Sequence, residues 1–229
     1  MRIQLTRSGT VVDATEAEFA ALRTEFDRAH CVVLPRLIEP ALLEQIQLHI
    51  EAATFFEKTN KNVGDELRIR PHPVNRALQF LCNDSAFFAA AERITGCPPI
   101  GCYQARVYRL MPNTGHASDW HEDMVQDRML TMSVNLSPQP FEGGVLQIRD
   151  VETHALFAEV ANTGAGDAVL FRIAATLQHR VTATTGTMPR TAYAGWFLRQ
   201  PNFSEELQRQ LNAAALRRND QAWSKSSTG

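Results

Sequence analysis

The second half of the chain carries a succession of short apolar segments, each bounded by turn residues, and this pattern constrains the fold more than any other feature. The segments are 103–110, 130–136, 145–148, 168–171 and 191–198. Pro, Gly and Asn separate them at short intervals, which is typical of a β-sandwich or jelly roll. We therefore predict a β core over about residues 100–199.

The first half predicts helices instead. Thr15 and Glu18 fit a capping box, and apolar residues recur after them at three- and four-residue spacing, so we expect a helix over about 15–30. A short β-branched strand at 31–34 stops at a proline, and Glu39-Pro40 then opens a second amphipathic helix.

A third helix is predicted over 85–95, with Asp84 or Ser85 as its cap and Gly96 as its stop. The helical part thus covers about 15–96. Helices packed on a β core make a mainly β fold with flanking helices, an α+β arrangement.

Two segments depart from this helix-then-strand order. Residues 55–76 lose periodicity and mix basic with acidic side chains, so we expect a long, mildly basic surface loop. After the core, an amphipathic helix is predicted over about 203–217, which could serve a homodimer, and 224–229 has the character of a frayed tail.

Composition narrows the classes of partner. The 23 basic and 25 acidic residues leave a formal net charge of -2, which argues against nucleic-acid or membrane-surface binding by bulk electrostatics. No apolar stretch approaches the roughly 18 residues of a membrane span, and no secretory signal is visible. We expect a cytoplasmic protein with one domain over residues 1–223 and four free cysteines.

The candidate metal ligands are His121, Asp123 and His179. A His-x-Asp pair on an extended segment places both side chains on one face, and His179 follows an apolar strand from which it could supply a third ligand. Two imidazoles and one carboxylate on one side of a metal form the facial triad of non-haem Fe(II) enzymes that activate oxygen.

Arg190 enters the last long strand, eleven residues beyond His179. A guanidinium buried among apolar neighbours is costly without an anion. Arg190 is therefore a candidate for a bidentate pair with a carboxylate inside the barrel.

With these residues the sequence resembles the Fe(II)- and 2-oxoglutarate-dependent dioxygenases, in the branch that includes phytanoyl-CoA and prolyl hydroxylases. The resemblance spans about 30–198 and rests on His121-x-Asp123, His179-Arg180-Val181, Arg190, Glu142-Gly-Gly-Val-Leu146, Gly166-Asp-Ala-Val-Leu-Phe171 and Cys31-Val-Val-Leu-Pro35. It implies a double-stranded β-helix core of jelly-roll or cupin type, one iron, 2-oxoglutarate and O2 as co-substrates, and succinate and carbon dioxide as products. It also implies that His121, Asp123 and His179 ligate the iron and that Arg190 binds the distal carboxylate of 2-oxoglutarate.

Polar residues on neighbouring strands are candidates for the rest of the site. Strand alternation puts Gln104, Arg106 and Tyr108 on one face, which either lines the cavity or faces outward. Asn135 alternates with polar neighbours on another strand and is a candidate hydrogen-bond partner of the co-substrate. We assign Arg106, Tyr108 and Asn135 to the co-substrate and Gln104 to the substrate.

Three further residues are candidate substrate contacts. Arg70 belongs to the basic segment that could close over the site. Trp120 precedes the first metal ligand and could either pack as an anchor or form a pocket wall. Arg172 is an unusual charge at the end of a core strand and could face the site or the surface.

The resemblance implies an enzyme that hydroxylates, or otherwise oxidises, an unactivated C–H bond. Related halogenases have Gly or Ala where this chain has Asp123, so its carboxylate argues against chlorination. We expect a small substrate such as an amino acid or natural-product intermediate, with a peptide or protein residue as the alternative. A redox-silent metal cupin remains a rival, against which Arg190 argues, and a catalytically dead binding module would have lost a ligand.

Overall fold

The structure, a computed structural model, describes residues 1–61, 63–125, 127–161 and 163–212, and more of these residues lie in β-strands than in helices. In chain order the strands are β1 (Arg2–Thr6), β2 (Gly9–Asp13), β3 (Cys31–Leu34), β4 (Phe55–Asn60), β5 (Gly64–Ile69), β6 (Cys102–Leu110), β7 (Ser118–His121), β8 (Arg128–Asn135), β9 (Glu142–Gly143), β10 (Leu146–Asp150), β11 (Leu156–Val160), β12 (Ala168–Arg172), β13 (Leu177–Val181), β14 (Thr184–Thr185) and β15 (Arg190–Leu198). The helices are α1 (Glu16–Ala29), α2 (Pro40–Glu51), α3 (Pro73–Cys82) and α4 (Ser85–Thr95).

Two antiparallel sheets build the jelly-roll core. The larger sheet has the order β3-β12-β8-β15-β6-β5-β4 and the smaller one the order β11-β10-β13-β7. Two-stranded ribbons, β1-β2 and β14-β9, complete the described strands. The predicted mainly β fold with a jelly-roll core and flanking helices is confirmed.

Helix ends follow the local signals in the sequence. Thr15 accepts from the backbone of Glu18 while the Glu18 side chain accepts from the Thr15 amide, which is the predicted capping box of α1. Asp84 accepts from two amides at the start of α4, and Gly96 ends that helix in the left-handed conformation that glycine tolerates.

Alternation along the strands divides the apolar residues between two cores. Met132, Val134 and Tyr193 belong to the core between the larger sheet and the helices. Ile148 and Phe171 belong to a smaller core between the two sheets. The space between the sheets is only partly filled by apolar side chains, and the remainder forms the cavity described below.

The predicted loop over 55–76 is wrong, because β4 and β5 form a hairpin that extends the larger sheet beside β6, and α3 follows it. Charged residues on β5 hid the strand: Glu66 and Arg68 lie two residues apart on one face and form an ion pair at 2.9 Å. On the other face of β5 only Leu67 and the buried Ile69 are apolar, and this pattern is too short to mark a strand among so many charged residues.

The end of the chain is described only in part. Residues 203–212 are helical, in agreement with the start of the predicted C-terminal helix. The rest of that helix and the predicted tail at 224–229 lie outside the described residues. Among the described residues, no helix combines the length and apolar character needed to cross a bilayer.

Candidate active site

The three predicted metal ligands meet at the edge of the smaller sheet. His121 ends β7 and His179 lies opposite it on β13, so that their ring centroids are 4.3 Å apart. Asp123 follows two residues after His121, and one donor atom from each of the three lies within 4.8 Å of the others. Strand pairing thus brings together residues that are 58 positions apart.

The His121 ring is held with one nitrogen available to a metal. Nδ1 lies 2.7 Å from the carbonyl oxygen of Asp119, which can only accept a hydrogen bond, so Nδ1 carries the proton and Nε2 keeps its lone pair. Burial lowers the pKa of His121, and the neighbouring His179 lowers it further, because both disfavour the charged ring. The ring therefore stays in the neutral form that metal binding requires.

Asp123 is held in its ionised form. Its Oδ2 accepts a hydrogen bond from the indole Nε1 of Trp196 at 2.6 Å and lies 3.5 Å from Nε2 of His179. Burial alone would raise the pKa of Asp123, but hydrogen bonds from His179 and Trp196 and the proximity of the two imidazole rings lower it to about 2. Two imidazoles and one carboxylate, converging on one point, fit a divalent iron.

A second group of residues surrounds Arg190, the first residue of β15, at what we call the inner end of the cavity. Only 8% of Arg190 is exposed. Its guanidinium donates to the hydroxyl of Tyr108 at 2.5 Å and to that of Ser133 at 3.1 Å, and it forms no ion pair with a carboxylate in the described part of the chain. A buried cation without an anion fits a ligand carboxylate, as 2-oxoglutarate would supply.

Glycine is required next to this arginine. Gly144 has a φ of +60°, and a Cβ at that position would lie 2.6 Å from Cδ of Arg190 and 3.0 Å from the ring of Phe141. The Glu142-Gly-Gly turn therefore leaves the space that the Arg190 side chain occupies.

The polar face of β8 also lines the cavity, through Thr131, Ser133 and Asn135. The Thr131 hydroxyl is buried and has no hydrogen-bond partner among the described residues, which marks a place for a ligand atom. Asn135, in contrast, donates to Thr163 and accepts from the amide of Ser137. Its amide group thus connects neighbouring loops, and the contact of Asn135 with the co-substrate stays a prediction.

At the opposite, outer end the cavity is lined by Glu66, Arg106 and Trp196, together with Asn60 from the hairpin. The sequence interpretation missed Glu66, Trp196 and Ser133. Trp196 lies six residues beyond Arg190 on β15 and Ser133 alternates with Asn135, so strand alternation could have found both. No local pattern marks Glu66, which is positioned by the unpredicted hairpin.

Two predicted substrate residues lie on other surfaces. Arg70 is exposed beyond the end of β5 with its guanidinium 5.4 Å from the ring centre of Phe56, and it does not line the cavity. Arg172 pairs with Asp27 of α1 at 2.6 Å, so its charge serves the contact between helix and sheet.

Two others point away from the cavity or lie beyond it. Trp120 alternates with His121 on β7, so it faces outward, where the guanidinium groups of Arg149 and Arg180 lie 4.0 and 4.6 Å from its ring. Gln104 shares the face of Arg106 on β6 but lies outside the lining of the cavity. Arg106 and Tyr108 do line the cavity. Strand alternation shows which face of β6 a residue lies on, but it does not show where along the strand the cavity ends.

Comparisons with known proteins agree with this geometry. The sequence model of the 2OG-Fe(II) oxygenase superfamily matches residues 103–198, a range that contains His121, Asp123, His179 and Arg190. A search of curated proteins finds no significant match to the chain.

Solved structures share the fold at low sequence identity. An oxidoreductase of the 2OG-Fe(II) oxygenase family from Burkholderia pseudomallei aligns with a TM-score of 0.61 at 14% identity, over 83% of this chain and 95% of that one. A Pseudomonas putida prolyl-4-hydroxylase aligns with a TM-score of 0.59 at 16% identity, over 80% and 99%. The epimerase SnoN, solved in complex with Fe3+, α-ketoglutarate and nogalamycin RO, aligns with a TM-score of 0.56 at 16% identity, over 80% and 84%.

The family match and the converging His-Asp-His triad indicate an enzyme, and the cofactors of this superfamily are iron and 2-oxoglutarate. Residues 103–198, which carry the triad and Arg190, therefore match the 2OG-Fe(II) oxygenase superfamily.

Proposed function

We propose that the protein oxidises an unactivated C–H bond of a small molecule, such as an amino acid or a natural-product intermediate, most simply by hydroxylation. The observation that carries this proposal is that the His121-Asp123-His179 triad and the buried, carboxylate-free Arg190 line one cavity. The first group suits iron and the second suits the far carboxylate of 2-oxoglutarate.

Each part of the site has a distinct task in this proposal. His121, Asp123 and His179 hold the iron, and Trp196 keeps the carboxylate of Asp123 in position through its hydrogen bond. When bound, iron and 2-oxoglutarate supply the oxidation of the C–H bond by O2, with release of succinate and carbon dioxide.

The protein supplies position and exclusion of water. Arg190, with the hydroxyls of Tyr108 and Ser133 beside it, binds and orients the co-substrate. Leu146 and Phe171 line the cavity with apolar surface, which keeps water away from the reacting atoms.

Two alternatives remain in view. A peptide residue is the alternative substrate, since a prolyl-4-hydroxylase is among the similar folds. A redox-silent metal cupin would use the same ligands without 2-oxoglutarate, but it would have no use for Arg190, whose buried charge has no carboxylate partner within the described ranges.

The test is turnover of 2-oxoglutarate by the iron-loaded protein, measured as succinate released in air. We expect Asp123→Ala to reduce succinate release at least about 10-fold, because the iron loses the carboxylate ligand of the triad. Glu122→Ala is the matched control, since Glu122 is exposed, adjacent in sequence and outside the cavity lining. Wild-type turnover in Asp123→Ala would contradict the proposal.

A further inference from the structure

We infer that Arg106 binds a free carboxylate of the substrate at the outer end of the cavity, which makes the substrate a small carboxylic acid such as a free amino acid. This inference rests on the proposed function and specifies its substrate class. It reassigns Arg106 from the co-substrate, for which the sequence suggested it, to the substrate.

The position of Arg106 separates it from the co-substrate anchor. On β6, Arg106 lies opposite Ala194 of β15, four residues along that strand from Arg190. Four residues of extended chain span about 13 Å. Arg106 lies instead near Trp196, with its guanidinium carbon 5.5 Å from the ring centre, and Trp196 binds the metal ligand Asp123. A group bound by Arg106 would therefore approach the metal from the side opposite Arg190.

The guanidinium of Arg106 is oriented but not saturated. Its Nε donates to Oε1 of Glu66 at 3.1 Å, which fixes the plane of the group. Its two terminal nitrogens have no hydrogen-bond partner in the described parts of the chain, and 28% of the side chain is exposed. Two parallel N–H donors match the two oxygens of a carboxylate.

The carboxylate of Glu66 beside Arg106 also accepts hydrogen bonds from a second arginine. The same Oε1 of Glu66 accepts two hydrogen bonds from Arg68, which also donates to Asn60. Glu66 is only 7% exposed and thus acts as a shared, buried counter-ion of two arginines. Glu66 therefore holds Arg106 in place without neutralising it fully.

The charges around Arg106 favour a zwitterionic substrate. Arg128 stacks on Trp196 with its guanidinium carbon 3.5 Å from the ring centre, and its nearest carboxylate is Asp123, which iron would share. Arg68, Arg106 and Arg128 thus share the carboxylates of Glu66 and Asp123. Asp65 lines the cavity from its exposed rim and brings the charges to balance, so a substrate that carries an ammonium as well as a carboxylate fits better than a dicarboxylate.

The experiment measures succinate release by the iron-loaded enzyme with 2-oxoglutarate in the presence of each free L-amino acid or its α-carboxamide. We expect at least one free acid to stimulate release above the level without substrate, and its carboxamide to give no stimulation. For that acid, Arg106→Gln should raise the KM about 10- to 100-fold, because a bidentate bond to a charged group is lost. Arg106→Lys, which keeps the charge but loses the fork, should recover part of the loss.

Arg70→Gln is the matched control, because Arg70 is an exposed arginine of the same hairpin region that does not line the cavity. An equal KM in the Arg106 and Arg70 variants would overturn the inference. So would a wild type that releases succinate but responds equally to acids and carboxamides, or to neither. A wild type that releases no succinate at all would overturn the proposed function, and the inference with it.

Discussion

The inner and outer ends of the cavity hold similar charges in different ways. At the inner end, Arg190 is buried and, among the described residues, its guanidinium donates to two hydroxyl groups and to no carboxylate, so its charge is left for a ligand. At the outer end, Arg106 is partly exposed and is shared with Arg68 through the carboxylate of Glu66. The inner end is built of strands from the centre of the larger sheet, whereas the outer end depends on the β4-β5 hairpin at its edge.

This difference shows how one fold can keep a common co-substrate and vary its substrate. A buried arginine fixed in the sheet interior, whose described neighbours are hydroxyl groups, suits a ligand that never changes. A partly exposed arginine, held by residues of an edge hairpin, can be altered without disturbing the sheet. The three metal ligands lie between the two ends and must serve both.

The largest effect expected from a side chain that only positions a ligand belongs to Trp196. Trp196→Phe removes the hydrogen bond to Asp123 and keeps an aromatic ring, so Fe(II) affinity measured without 2-oxoglutarate should fall about 10- to 100-fold. Trp120→Phe is the control, because Trp120 stacks on the outer surface of the smaller sheet. Equal affinities in the two variants would show that the indole does not hold the metal ligand.

A smaller effect, on stability alone, is expected far from either end. Asp84→Ala removes the cap of α4 and should lower the free energy of unfolding by about 1 kcal/mol at neutral pH. Fe(II) and 2-oxoglutarate affinities should not change. A change in either affinity would show that ligand binding in the cavity depends on the cap of α4.

The stability effect of Asp84 should also depend on pH. Burial alone would raise the pKa of Asp84, but the nearby Thr10 and the hydrogen bonds from the Phe87 and Ala86 amides outweigh it and lower the pKa. A lowered pKa means that the stabilisation is complete above the unfolded value of about 3.9 and disappears as the pH falls through the lower folded value. Thermal unfolding of wild type and Asp84→Ala should therefore converge below about pH 4, whereas a gap independent of pH would show that the carboxylate charge is not involved.

Much of the fold was predictable because its signals are local. The capping box of α1, the Asp84 cap and Gly96 stop of α4, and the apolar strands of the core all follow from neighbouring residues. The hairpin over β4 and β5 was not predictable in this way, since its strands are stabilised by ion pairs and by pairing with β6.

The same distinction between local signals and long-range pairing applies to the candidate site. The spacing of His121, Asp123, His179 and Arg190 marked the residues that the fold brings to one cavity. Alternation correctly put Arg106 and Tyr108 on one face, but it could not tell that Gln104 lies beyond the cavity. Glu66 was missed because its role arises only when a distant hairpin pairs with β6.

The central claim is that the inner end binds 2-oxoglutarate on iron held by the triad, and anaerobic titration tests it most directly. Apo-protein is loaded with Fe(II) and titrated with 2-oxoglutarate while the weak visible charge-transfer band of the chelate is followed in wild type, Arg190→Gln and Arg106→Gln. We predict a band in wild type, the same 2-oxoglutarate affinity in Arg106→Gln, and about 10- to 100-fold weaker affinity in Arg190→Gln, because a charged hydrogen-bonding pair is lost there. A wild type that binds Fe(II) without developing the band, or an Arg190→Gln variant with wild-type affinity, would contradict the account.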